Sequence, residues 1–146
     1  MRLAAQWLEL DQLFLAKEII DMSAKTILII AGVFGVLSVA IGAFGAHGLG
    51  ATLTTNNRLD TFETAVKYQF YHTLALFLLG ILMINMQSNY LNYAAISFIL
   101  GMVIFSGSLY TLSLTNMTWL GAITPIGGLG FILGWIFLNF GASKGL

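Results

Sequence analysis

The chain has 146 residues, of which 58% are hydrophobic and 8% are charged, and its formal net charge is zero. A soluble domain carries roughly 25% charged residues, so this composition excludes a water-soluble protein and indicates one that is solvated by lipid. The scattered basic residues exclude a nucleic-acid-binding surface, and the absence of cysteine excludes disulfides, thiolate metal sites and cysteine nucleophiles.

The first predicted element is an amphipathic helix in residues 1–21, lying on the membrane surface. Its apolar side chains recur at helical spacing, at Leu3, Trp7, Leu10 and Phe14. The alternative is that translation begins at Met22, so that this N-terminal extension is not part of the protein. A cleaved signal peptide is disfavoured, because the apolar run that follows is longer than the roughly 7 to 15 residues usual for such a segment.

Four apolar runs follow, each close to the ~20 residues that a helix needs to cross the hydrocarbon core. They comprise residues 26–46, 67–86, 91–114 and 119–140. Short polar segments join the last three runs, so these helices are expected to be antiparallel neighbours. The predicted fold class is therefore an all-α membrane protein, an antiparallel four-helix transmembrane bundle formed by residues 22–146.

The second run is preceded by a polar loop, residues 47–61, that is longer than the other connections. Within it, Asp60 is followed three residues later by Glu63, the spacing of a capping box, so the pattern predicts Asp60 as the N-cap of the second helix. Glu63 and Lys67 are four residues apart and are expected to form an ion pair on the first turns of that helix.

The first and fourth helices carry small residues on one face. The glycines of these faces are Gly32, Gly35, Gly42, Gly130 and Gly134. In lipid, small residues let two helix backbones approach closely and gain van der Waals contact. The pattern predicts that these faces are helix contact surfaces.

Basic residues near the ends of the spans indicate the orientation. Lys17, Lys25 and Lys144 lie on the side of the termini, and Arg58 and Lys67 lie on the other side. The excess favours both termini in the cytoplasm. If the N-terminal extension is not translated, the two sides carry equal numbers and indicate no orientation.

Four segments of the chain carry a family resemblance. They are GAFGAHGL (residues 42–49), ETAVKYQFYHTLAL (63–76), FSGSLY (105–110) and ITPIGG (123–128). In this order they resemble the YgdD-like membrane family, the domain of unknown function 423, which also includes animal transmembrane protein 256. The resemblance extends from about residue 26 to the C-terminus and implies a small four-span protein of the bacterial plasma (inner) membrane. It implies no activity, catalytic residue or cofactor.

The antiparallel order brings polar residues from the ends of all four helices to one side of the membrane. They are His47, Tyr68, Gln69, His72, Ser106, Ser108, Tyr110 and Thr124. The favoured interpretation is structural, because polar groups inside a membrane bundle turn inward and bond one another. The alternative is a small pocket in which His72 and His47 bind a polar headgroup or relay a proton near neutral pH.

Metal binding and catalysis are disfavoured at this cluster. The two histidines and Glu63 could supply three zinc ligands, but no spacing in the sequence holds them together. Ser106 and Ser108 have no buried carboxylate to orient a histidine base. The sequence therefore predicts no metal, no cofactor and no catalytic residue.

Three functions are compatible with these observations. The favoured one is a non-enzymatic accessory or structural protein of the bilayer, working as a homo-oligomer or within a larger membrane complex. The first alternative is a small transporter or proton-coupled carrier that acts as an oligomer, although such carriers usually use an intramembrane carboxylate and this chain has none deeper than Glu63. The second alternative is a membrane enzyme or binder that acts on lipid or quinone.

Overall fold

The computed structural model describes residues 22–145, with side chains described through residue 143. Within this range the chain forms helices α1 (Ala24–His47), α2 (Gly50–Thr55), α3 (Leu59–Asn85), α4 (Asn89–Thr115) and α5 (Thr124–Gly145), and a 3-10 helix (Thr118–Ala122) leads into α5. Four segments are long and apolar enough to cross a membrane: α1, α3, α4, and the 3-10 helix together with α5. The predicted transmembrane bundle is confirmed. The amphipathic helix predicted for residues 1–21 lies outside the described residues.

Serine side chains begin two of the spanning helices. The hydroxyl of Ser23 accepts a hydrogen bond from the backbone N–H of Thr26 at 3.2 Å, and that of Ser88 accepts one from Tyr90 at 3.3 Å. At its other end, α4 stops at Asn116, whose φ of 56° lies in the left-handed region that asparagine tolerates. These caps supply partners for terminal backbone groups that lipid could not satisfy.

The start of α3 differs from its prediction. Arg58, and not Asp60, precedes the first helical residue, and it forms no side-chain cap. The polar loop contains the short helix α2, after which Asn57 adopts a left-handed conformation with φ of 54° and the N–H of Arg58 donates to the carbonyl of Leu53 at 2.9 Å. This turn directs the chain into α3 before Asp60 is reached, so Asp60 lies in the first helical turn. The pairing of Glu63 with Lys67 is confirmed at 3.1 Å.

The spanning helices pack in the order α1, α3, α4, α5. Among the described residues, α5 packs mainly on α4 and meets α3 through the ring contacts of Phe131 and Trp135 with His72. The shared core is made of apolar side chains that include Leu76, Leu79, Phe98, Met102 and Phe131. The central pair α3 and α4 therefore carries α1 on the side of α3 and α5 on the side of α4.

The contact between α4 and α5 depends on glycine. A Cβ atom at Gly127 would overlap the backbone of Phe105, and one at Gly130 would lie 3.0 Å from the Cα of Gly101. A Cβ atom at Gly134 would lie 2.5 Å from a carbon of a buried aromatic ring on α4. Two of the glycines singled out from the sequence, Gly130 and Gly134, thus lie on this seam, where the absence of side chains lets the two backbones approach.

The glycine face of α1 is only partly covered. A Cβ atom at Gly42 would lie 3.2 Å from a methyl carbon of Val66, and one at Gly35 would lie 3.7 Å from the methyl carbon of Thr73. A Cβ atom at Gly32 would have no such neighbour within 4 Å in the described structure. Among the spanning helices of the described residues, α1 packs mainly on α3, and Gly32 is exposed.

The loop that carries α2 is fastened to the end of α4. The side-chain amide of Asn56 donates hydrogen bonds to the carbonyls of Ser113 and Leu114 at 3.0 and 3.1 Å. The Nε of Arg58 donates to the side-chain oxygen of Asn116 at 3.2 Å. These bonds supply partners for carbonyl groups in the last turn of α4, which the helix itself leaves open.

Candidate functional site

Gln69 links three helices at the centre of the polar cluster. Its side-chain nitrogen donates to the carbonyl of Phe34 on α1 at 3.2 Å, and its side-chain oxygen accepts from the hydroxyl of Tyr110 on α4 at 2.9 Å. Gln69 is buried and Tyr110 is half-buried. The amide is therefore used on both its donor and its acceptor side by contacts within the bundle.

The buried hydroxyl groups of α4 form two further links. The hydroxyl of Ser106 donates to the carbonyl of Ala65 on α3 at 2.9 Å. The hydroxyls of Ser108 and Thr124 lie 2.8 Å apart and connect α4 to α5. Each pair joins neighbouring helices.

His72 lies apart from these links. It is the middle residue of the 27-residue helix α3, with ~20 Å of helix on either side. Its Nδ1 lies 2.8 Å from the carbonyl oxygen of Tyr68. A carbonyl can only accept, so Nδ1 carries the proton, and in the neutral ring Nε2 is a hydrogen-bond acceptor. Within the described residues, Nε2 has no hydrogen-bond partner.

The imidazole of His72 is surrounded by aromatic rings. It stacks on Phe131 with ring centroids 3.5 Å apart and an interplanar angle of 8°. Phe98 and Trp135 approach it with centroids at 5.7 and 6.4 Å. Tyr68 and Phe105, whose centroids are 4.7 Å apart, continue the array by one turn. We call this set of six residues, which lies where α3, α4 and α5 meet, the aromatic cluster.

The remaining predicted residues take different positions. His47 is exposed at the end of α1, and no hydrogen bond joins it to the cluster within the described structure. Tyr68 is 41% exposed and belongs to the aromatic cluster. In residues 22–143 no group of three or more His, Cys, Asp or Glu side chains is arranged to hold a metal ion. The structure thus does not bring His47, His72 and Glu63 together.

Apart from Tyr68, the aromatic partners of His72 were not part of the cluster predicted from the sequence. A signal for them exists, because Phe98 and Phe105 are seven residues apart on α4 and Phe131 and Trp135 are four residues apart on α5. Such spacings put each pair on one helix face. The spacing does not show which helix these faces contact, because lipid-facing and buried positions are equally apolar in this chain.

A cleft opens on one side of the central pair. It has a volume of about 350 Å³ and lies between α1, α3 and α4, with Phe44, Phe62 and Tyr110 among its lining residues. Its walls are almost entirely apolar, because the hydroxyl of Tyr110 is turned toward Gln69. This cleft offers shape but no polar group to orient a ligand.

Comparison with known proteins shows that the chain is similar to one family of membrane proteins. The sequence model of the family described as Protein of unknown function (DUF423) matches residues 41–128. UPF0382 membrane protein SH2409 of Staphylococcus haemolyticus is 46% identical over 120 residues, which cover 82% of this chain and 97% of the relative. UPF0382 membrane protein YwdK of Bacillus subtilis is 40% identical over 121 residues, 82% of this chain and 98% of the relative.

A relative from a Gram-negative bacterium is also similar. UPF0382 inner membrane protein YgdD of Escherichia coli is 37% identical over 123 residues, which cover 84% of this chain and 93% of the relative. No solved structure matches the chain. The resemblance proposed from the four sequence segments is thereby confirmed.

Proposed function

We propose that this chain, which belongs to the DUF423 (UPF0382) family of membrane proteins, is a non-enzymatic accessory or structural component of the bacterial plasma membrane. The proposal rests on the geometry of its polar groups. The family has no assigned activity, so no reaction is carried over from its members. The multi-pass membrane character of the chain is shown by its four spans and its relatives.

One observation carries the proposal: bonds between helices engage the amide of Gln69 and the hydroxyl groups of Ser106, Ser108, Tyr110 and Thr124. Gln69, Ser106 and Ser108 each join neighbouring spans. A catalytic or transport group has to exchange its partner for a substrate, whereas these groups are buried and already paired. Inter-helix hydrogen bonds in membrane proteins contribute about 0.6 kcal/mol each on average, so their role here is to hold the four spans in register.

The proposal is tested by substitutions that remove a polar group and keep its shape. Ser106→Ala, Tyr110→Phe and Thr124→Val are each expressed from the chromosome in place of the natural chain. We expect the fitness of each strain, measured by competitive growth, to follow the amount of folded protein in the membrane. Ser143→Ala, at an exposed position near the end of α5, is the matched control.

A variant that is present and folded at the natural level but grows like the deletion strain would show that its polar group has a chemical role, which would contradict the proposal. Extraction in mild detergent adds a second measurement. An accessory component is expected to co-purify with a larger membrane complex or with further copies of itself. A chain that is recovered only as a monomer would oppose the accessory role.

A further inference from the structure

Another cleft follows the contact between α1 and α3 on the outside of the bundle. One part of it has a volume of about 470 Å³ and the adjoining part has a volume of about 190 Å³. Gly42, Val66 and Lys67 line both parts, so the two form one continuous space. Val39 and Tyr71 line the larger part and are exposed. This space, which we call the α1–α3 cleft, is therefore open to the surrounding lipid.

A pair of opposite charges lies at the outer end of the α1–α3 cleft. Glu63 and Lys67 line its smaller part, and of the described residues that line the cleft only these two are charged. Their side chains are 51% and 59% exposed, with Nζ and Oε2 3.1 Å apart. Helix α3 has 27 residues and is ~40 Å long, which exceeds the ~30 Å of the hydrocarbon core. Its charged first turns therefore lie at the level of the lipid headgroups.

The two charges differ in depth. Lys67 lies one helical turn further into the membrane than Glu63, which is about 6 Å along the helix axis. Tyr71 lies one turn further in again and lines the larger part of the cleft, and tyrosine is enriched where the headgroups meet the acyl chains. The cleft thus presents a cation close to the hydrocarbon boundary and an anion outside it.

This order of charges matches a zwitterionic phospholipid. In such a lipid the phosphate is attached to the glycerol that carries the acyl chains, and the ammonium group lies beyond the phosphate. With an acyl chain along the apolar walls of the cleft, the phosphate reaches the ammonium group of Lys67 and the lipid ammonium reaches the carboxylate of Glu63. A primary ammonium group also donates hydrogen bonds to the carboxylate, which a quaternary one cannot do.

Other lipids satisfy fewer of these groups. An anionic headgroup is attracted by Lys67 but repelled by Glu63, whose carboxylate lies 3.1 Å from the same ammonium group. A neutral diacylglycerol engages neither charge. The apolar walls hold an acyl chain of any of these lipids, so the charge pair is the part of the cleft that distinguishes them.

From this arrangement we propose that the α1–α3 cleft binds a phospholipid with an ethanolamine headgroup, which places its phosphate at Lys67 and its ammonium group at Glu63. The lipid lies along the contact between the two helices, with an acyl chain beside Gly42 and Ala43. This binding site does not depend on the proposed accessory role.

The experiment counts the lipid molecules bound to the full chain by native mass spectrometry from mild detergent. Dioleoyl phospholipids with ethanolamine, choline or glycerol headgroups are titrated separately, so that the ligands differ in the headgroup alone. We expect the first molecule of the ethanolamine lipid to bind at least about threefold more tightly than either of the others, the factor that corresponds to one exposed ion pair.

Reversing the charge pair tests its order. Glu63→Lys combined with Lys67→Glu keeps the net charge and a pair at i, i+4 but places the anion deeper than the cation. We expect this double variant to lose the preference for the ethanolamine lipid. Glu63→Gln should lose it as well, because it removes the partner of the lipid ammonium. Far-UV circular dichroism shows whether each variant keeps its helices.

Filling the cleft tests its position. Ala43 is exposed and lines the larger part, so Ala43→Phe should lower the affinity for the first molecule of all three lipids. Val36→Phe is the control, because Val36 is an exposed residue of α1 that does not line the cleft. If Ala43→Phe loses its helices, Val39→Phe replaces it.

Three outcomes would overturn the proposal. One is equal affinity for the three headgroups, and another is a preference for the ethanolamine lipid that persists after the charges are reversed. The third is that Ala43→Phe leaves lipid binding unchanged but dissociates an oligomer, which would show that a second copy of the chain covers the cleft. A failure of this test leaves the proposed accessory role untouched, because that role is measured by growth and co-purification.

Discussion

Replacing Gly127 with alanine should separate α4 from α5, whereas the same change at the next residue should not. A Cβ atom at Gly127 would overlap the backbone nitrogen of Phe105 and lie 2.7 Å from its Cα, while one at Gly128 would lie 3.9 Å from the nearest ring carbon of Phe105. No described glycine has a positive φ, so alanine is compatible with the backbone conformation at both positions. The two variants therefore differ in contact alone.

The loss of stability caused by Gly127→Ala follows from the distance by which α4 and α5 must move apart. Non-bonded carbon atoms lie about 3.5 to 4.0 Å apart at their optimum, so the two backbones have to separate by roughly 1 Å. That movement stretches the 2.8 Å contact of Ser108 with Thr124 beyond hydrogen-bond range. Overpacking costs about 1 to 3 kcal/mol and the lost hydrogen bond adds about 0.6 kcal/mol. The gain of about 1 kcal/mol from the higher helix propensity of alanine applies to both variants and cancels in their difference.

The free energy of unfolding of both variants is measured by titrating detergent-solubilised full chain with sodium dodecyl sulfate and following far-UV circular dichroism. We expect Gly127→Ala to be about 2 to 4 kcal/mol less stable than Gly128→Ala. Equal stability would refute the inference that α4 and α5 touch backbone to backbone at this point. A large loss in both variants would show that the seam is set by the first turns of α5 as a whole.

Three further predictions follow from the described contacts and the topology. Tyr110→Phe should lower the free energy of unfolding by about 0.6 to 1.7 kcal/mol because it removes a donor to a buried amide, and Tyr93→Phe, whose hydroxyl forms no hydrogen bond in the described structure, should change it little. Single cysteines at Asn57 and Ser143 should be labelled from opposite sides of intact cells, and labelling of both from one side would contradict four spans. A chain that begins at Met22 should insert and form the same bundle, which loss of its helical circular dichroism would disprove.

The four spans could be predicted because lipid restricts the conformations that a backbone can adopt. A segment of ~20 apolar residues has to satisfy its N–H and C=O groups internally, which selects a helix. The start of α3 was less predictable, because the capping pattern at Asp60 was overridden by the turn at Asn57 and by the backbone bond from Arg58 to Leu53. That bond depends on α2, a helix of six residues within a loop.

Only part of the arrangement of the predicted polar residues could be derived from the sequence. Antiparallel order predicts the depth of a residue in the membrane but not the direction in which it points around its helix. Gln69 and His72 are three residues apart, which separates their directions by about 60° around the helix axis. That angle is enough to direct Gln69 to α1 and α4 and His72 to Phe131 on α5.

The fastening of the α2 loop to the end of α4 also concerns how the protein is made. Asn56 precedes its two carbonyl acceptors by 57 and 58 residues. At a synthesis rate of roughly 5 to 20 residues per second, the ribosome needs about 3 to 12 seconds to make the chain between them. During that time α1 and α3 are already able to enter the bilayer as a hairpin. The loop therefore acquires its final hydrogen bonds only after the third span has left the ribosome. These bonds thus form after α1 and α3 have been able to insert.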